Sequence, residues 1–96
     1  MTWIKTVPAR DADAGLKHCY EQVYALYPPE YAVEVASVRR ADGSADSITE
    51  AHSLIPEALV HGMANLGVLL SAALPLTRRQ HEMIATVVSA LNHCFY

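Results

Sequence analysis

The sequence predicts an all-α, oligomer-forming protein, and three observations carry that expectation. Apolar residues recur at three- and four-residue spacing through most of the chain, and the breaks between periodic stretches fall at Pro28-Pro29, Pro56 and Pro75. The one alternating stretch, Tyr31-Val33-Val35, is short and runs toward an Asp42-Gly43 turn, so a loop or short helix is favoured over a strand. The third is composition: 52% of residues are hydrophobic, 18% are charged, and the mean hydropathy is +0.14. Such a chain is too apolar for disorder. Its 96 residues make a single domain near the lower size for a self-sufficient core, so part of its surface is expected to meet another subunit.

The first helix is predicted over "DADAGLKHCYEQVYALYPP". Asp11 or Asp13 can cap its free amides, Leu16, Cys19 or Tyr20, Val23 or Tyr24, and Tyr27 form its apolar stripe, and Pro28-Pro29 stops it. After the irregular "EYAVEVASVRRADGSADS" comes a short helix from about Ser47 to Leu54. A second long helix is entered through Pro56, which suits a first-turn position because it has no amide hydrogen to offer. Leu59, Met63, Leu66, Leu69 and Leu70 give that helix its stripe. In "TRRQ", Thr77 and Gln80 form a capping box that opens a third long helix. Its predicted inner stripe is Met83, Ile84, Val87, Val88 and Leu91, with Ala85, Ser89 and Ala90 small enough to admit neighbours on other sides. Such a helix is expected to be buried over most of its surface.

Charge and motif usage exclude several functions. The net charge is -3 with a pI near 5.9, and the seven basic residues pair only at Arg39-Arg40 and Arg78-Arg79, so no nucleic-acid footprint exists. The amino terminus lacks the apolar core of a signal peptide, and "LGVLLSAALPL" is broken by Pro75 and too short to span a bilayer. A cytoplasmic location without a membrane partner is expected. Cys19 and Cys94 are too few for a secreted disulfide framework.

Candidate chemistry is sparse. His18, His52, His61, His81 and His93 include no pair three or four residues apart, and neither HExxH nor CxxC occurs, so no metal and no cofactor are expected. No glycine-flanked nucleophile elbow supports Ser-His-Asp catalysis. Trp3, Tyr20, Tyr24 and Tyr27 read as core aromatics rather than a cofactor box. Cys19, on the stripe of the first helix, reads as packing.

What remains is Glu82 and Cys94, with eleven residues between them. The stretch "RRQHEMIATVVSALNHCFY" resembles the core of the carboxymuconolactone decarboxylase and alkylhydroperoxidase D superfamily, whose redox members carry Glu-x11-Cys-x-x-Cys-x-x-x-His. "TWIKTVP" and "AHSLIPEALVHGMANL" resemble its peroxidase-related branch. The resemblance implies an all-helical alkylhydroperoxidase D-like bundle, a homo-oligomer acting on a hydroperoxide with a thiol or dithiol reductant. It implies Glu82 as the relay carboxylate and Cys94 as the first, resolving cysteine of the pair. The sequence departs from that motif: the second cysteine would follow Tyr96 and the histidine would come four residues later. The domain, residues 1-96, is therefore expected to be incomplete at its carboxyl end and inactive alone.

Geometry adds a requirement. In one unbroken helix the rise from Glu82 to Cys94 would be about 18 Å, too far for direct proton relay. The chain is therefore expected to turn near Asn92-His93, Asn tolerating left-handed angles, and to start a helix at Cys94 whose free amides would favour a thiolate. The plainer readings are a first-turn Glu82 complementing the helix dipole and an inert Cys94. Two alternative functions accompany them: a non-catalytic helical oligomer or interaction module, and a decarboxylase-type enzyme acting on a lactone acid.

Overall fold

The structure, a computed structural model, describes residues 3–33 and 47–94. Among the described residues four α-helices follow in order, α1 Ala14–Ala25, α2 Ser47–Ala51, α3 Pro56–Leu69 and α4 Arg78–Leu91, with short 3-10 turns at Ala9–Asp11 and Pro29–Ala32. No strand occurs among the described residues, in agreement with the all-α expectation. Of the alternating stretch, Tyr31 lies in the second 3-10 turn and Val35 lies outside the described residues.

Local signals set the helix starts. Asp13, not Asp11, caps α1, its carboxylate accepting from the Leu16 amide at 2.8 Å. Pro56 opens α3, and Thr77 opens α4 through a complete capping box in which Gln80 Oε1 accepts from the Thr77 amide at 2.9 Å. Helix ends are shorter than the apolar runs suggest. α1 closes at Ala25: the Leu26 amide tightens onto the Val23 carbonyl at 3.1 Å, and Pro28, two residues on, has no amide hydrogen to continue the helix. α2 closes at Ala51 rather than Leu54, its last carbonyls taken by turn amides of His52 and Ser53.

The core is the seam between α1 and α3. Ala12, Leu16, Tyr20 and Val23 pack against Leu59 and Met63, with Val7 and Cys19 at its edge, so the packing role expected of Cys19 holds. Beside this seam lies a polar one. The Val7 amide donates to Ser53 Oγ at 2.8 Å, and the Tyr20 hydroxyl donates to the Val7 carbonyl at 2.7 Å, which ties the amino-terminal segment to α1 and to the turn after α2. Thr49, Glu50 and Ser53 are buried there. Trp3 is fully exposed, contrary to its core reading, and Tyr24 is exposed as well.

Two predicted stripes are corrected. In α3, Leu59 and Met63 are buried, whereas Leu66 and Leu69 face solvent, because the face turned to α1 runs on from Met63 through Gly67, which meets Leu26, and leaves Leu66 and Leu69 to the side. In α4 the correction is larger. Met83, Ile84, Val87, Val88 and Leu91, expected to face inward, are 52% to 76% exposed. The half-buried residues of α4 are Arg78, His81, Glu82 and Ser89, whose three- and four-residue spacing marks a polar inner strip. α4 thus turns its polar side to the protein and its apolar side outward, and it packs along neither α1 nor α3.

Candidate functional site

The amino-terminal turn of α4 is where the protein gathers its polar chemistry. The capping box fixes the first turn, and the first turn presents Arg78, His81 and Glu82 inward. Arg78 crosses to the end of α3, donating from Nη2 to the Leu70 carbonyl at 2.8 Å, an acceptor left over where that helix stops. Its guanidinium carbon also lies 5.8 Å from the Tyr31 ring centroid, a cation–π contact. Tyr31 itself ends an edge-to-face series of rings, Tyr24 with Tyr27 at 5.8 Å and Tyr27 with Tyr31 at 6.2 Å.

Glu82 accepts a hydrogen bond from the Tyr31 hydroxyl at 2.5 Å. Loss of solvent pushes the Tyr31 phenol above its ordinary value, the Glu82 carboxylate adds to the rise, and Arg78 opposes it. The phenol therefore stays a donor and the carboxylate an acceptor. Two nitrogens in this corner are out of contact with water and without a hydrogen-bond partner among the described residues, Arg78 Nη1 and His81 Nδ1. Arg78 and His81 line a cavity of about 120 Å³ with Glu30, Ser71, Ala72, Leu76 and Thr77. A wider groove of about 390 Å³ adjoins it, sharing Glu30, Ser71, Ala72 and Arg78, and is walled by Leu26, Pro28, Pro29, Gly67 and Leu70. Gly67 makes that wall possible at close quarters: a Cβ there would lie 3.0 Å from the Leu26 Cβ.

Cys94 lies at the other end of α4. The helix stops in a Schellman motif, with the His93 amide donating to the Ala90 carbonyl at 3.2 Å and the Cys94 amide to the Ser89 carbonyl at 2.9 Å. The expected turn near Asn92-His93 is present, but the left-handed residue is His93, at φ 50, while Asn92 stays at φ -84. Cys94 is a free, exposed thiol. The helix from Glu82 to Leu91 alone rises about 13 Å at ~1.5 Å per residue, and Glu82 is turned toward Tyr31. The structure does not bring the two predicted site residues together. The helix expected to start at Cys94 would run into residues outside the described set.

Tyr31 was not legible as the partner of Glu82, nor Arg78 and His81 as the lining of the cavity beside them. Tyr31 and Glu82 stand 51 positions apart, and no local spacing joins them. The available hint was "TRRQ" itself, since a firmly capped first turn is a rigid place to hold side chains. Among the described residues no helix is long and apolar enough to cross a membrane, and no group of three His, Cys, Asp or Glu side chains could hold a metal ion. No family model, curated protein or solved structure matches this chain.

Proposed function

We propose that this chain carries the glutamate and first-cysteine portion of a peroxidase-related, alkylhydroperoxidase D-like thiol oxidoreductase. The reading rests on Glu82-x11-Cys94 within the text that resembles that superfamily. The observation that supports it best is the stop of α4. A Schellman turn at His93 lifts Cys94 out of the helix and leaves its thiol exposed, as a cysteine that meets an external disulfide or hydroperoxide must be. In the proposed cycle a thiolate attacks the peroxide oxygen, giving a sulfenic acid and an alcohol. A second thiol then forms a disulfide with release of water, and an external dithiol reduces it.

The chain alone does not complete this cycle. Glu82 is held by Tyr31 some 13 Å or more along α4 from Cys94, and α4 directs its carboxyl end, the negative end of its dipole, toward that cysteine. A relay needs the carboxylate and the thiol in one site, which a further element or a second copy would supply. Homo-oligomerisation in the cytoplasm belongs to the same proposal. The test is hydroperoxide consumption with a dithiol reductant. In the lone chain Cys94, the resolving cysteine of the proposed pair, is the exposed thiol and must take the attack itself, so one equivalent consumed per chain, abolished in Cys94→Ser, is expected; sustained turnover would refute inactivity of the lone chain, and no consumption would refute the redox role.

A second reading, a non-catalytic helical interaction module, is favoured by one observation: the apolar stripe of α4 faces outward. It separates from the first because it makes Cys94→Ser silent. The decarboxylase-type alternative gains no support from a thiol-bearing α4 end.

A further inference from the structure

We propose that the paired cavity and groove between the ends of α1 and α3 and the start of α4 bind a short aliphatic monocarboxylate, its carboxylate on Arg78 and its chain along the apolar wall. This inference is independent of the cysteine chemistry. The two voids share Glu30, Ser71, Ala72 and Arg78, so they lie side by side, a polar end against an apolar one. The polar end holds Arg78, His81, Ser71 and Thr77; the apolar end is walled by Leu26, Pro28, Pro29, Gly67 and Leu70. An apolar pocket with a few convergent polar groups is the usual form of a small-molecule site.

The polar end asks for an acceptor. Arg78 has committed Nη2 to the Leu70 carbonyl, but its Nη1 is withdrawn from water and has no partner among the described residues, and His81 Nδ1 is in the same state. A buried charged donor left unmatched is costly, and an anion that draws the guanidinium toward the cavity removes that cost. The amino end of α4 closes the same space, and its dipole favours negative charge there. Carboxylate matches the planar donor fork of a guanidinium. The apolar groove excludes a bare inorganic anion as the best fit, because about 390 Å³ of mostly aliphatic wall would stay unfilled. Glu82, beyond Tyr31, is held by the Tyr31 hydroxyl and lines neither void, which leaves Glu30 as the one acidic residue in the lining. It is exposed at the rim, makes no hydrogen bond or ion pair among the described residues, and lines both voids, so it weakens anion binding without blocking it.

Titration of the full chain with hexanoate, followed by amide shifts and calorimetry, tests the proposal. Saturable binding is expected, with shifts at Gly67, Ser71 and Arg78, and with hexanol and hexylamine weaker by about tenfold, the worth of a charge-assisted hydrogen bond. Affinity should rise from butanoate to hexanoate by up to about fourfold per methylene. Arg78→Gln should lower hexanoate affinity about tenfold. Because Arg78 also ties α4 to α3 and Tyr31, Glu30→Gln is the companion variant, and it should raise affinity a few-fold without touching the fold. The proposal is overturned if hexanoate fails to bind the folded chain, if hexanol binds as well as hexanoate, or if Glu30→Gln leaves affinity unchanged. Binding of phosphate or acetate as tight as that of hexanoate would also overturn it, since it would mean an adventitious ion only.

Discussion

Tyr20 joins three parts of the chain through one ring. The ring sits in the α1–α3 core, its hydroxyl donates to Val7, and the same Val7 is held by Ser53 beyond α2. Burial pushes its phenol above the ordinary value, the nearby Glu50 charge adds to this, and the Ser53 hydroxyl works against it. Tyr31 is raised as well, by loss of solvent first and then by Glu82. A raised phenol contributes stability that is fully present below about pH 10, the ordinary tyrosine value, and is lost as pH rises through the folded-state value. Tyr20→Phe should therefore cost about 1–2 kcal/mol at neutral pH, from the unmatched Val7 carbonyl, and should flatten the loss of stability above pH 10. Urea unfolding at a series of pH values measures both. The burial of Tyr20 was legible in the helical spacing of the first stripe; the Val7–Ser53 clasp was not, because hydrogen bonds that join residues 46 positions apart leave no local pattern.

At the scale of the helix, α4 shows what a sequence encodes and what it leaves open. Its start was readable residue by residue, since a capping box is chemistry between Thr77 and Gln80 alone. Its stop was readable to within one residue: the Schellman hydrogen bonds put the left-handed angle on His93, one place after the Asn that tolerates such angles best. Its orientation was not readable. Periodicity reveals that Met83, Ile84, Val87, Val88 and Leu91 share a face, but not which side of the helix meets the protein. Arg78, Tyr31 and Glu82 decide that, through contacts between segments far apart in sequence. Two substitutions test the local account. Thr77→Ala should remove about 1 kcal/mol of stability. His93→Gly should add about 1 kcal/mol, because glycine reaches φ near 50 without Cβ strain. Thermal unfolding followed by circular dichroism would register both shifts, in opposite directions.

The whole molecule is a small core with an unmatched surface. Among the described residues six buried apolar side chains hold the α1 segment to α3, while the stripe of α4 and Leu66, Val68 and Leu69 of α3 are exposed. The high apolar content read from the sequence predicted a partner, and the outward stripe is the physical form of that excess. Val87→Glu should change folding stability by no more than about 0.5 kcal/mol, since Val87 is exposed in the single chain. In sedimentation velocity it should also turn a concentration-dependent oligomer into a monomer. An oligomer unaffected by Val87→Glu would place the interface elsewhere. The redox proposal depends on a difference between the two cysteines, Cys94 exposed past the end of α4 and Cys19 half-buried against the core. The most direct measurement is site-resolved mass spectrometry after limiting hydroperoxide. The account predicts that Cys94 is oxidised before Cys19; oxidation of Cys19 first, or of both at equal rates, would contradict it.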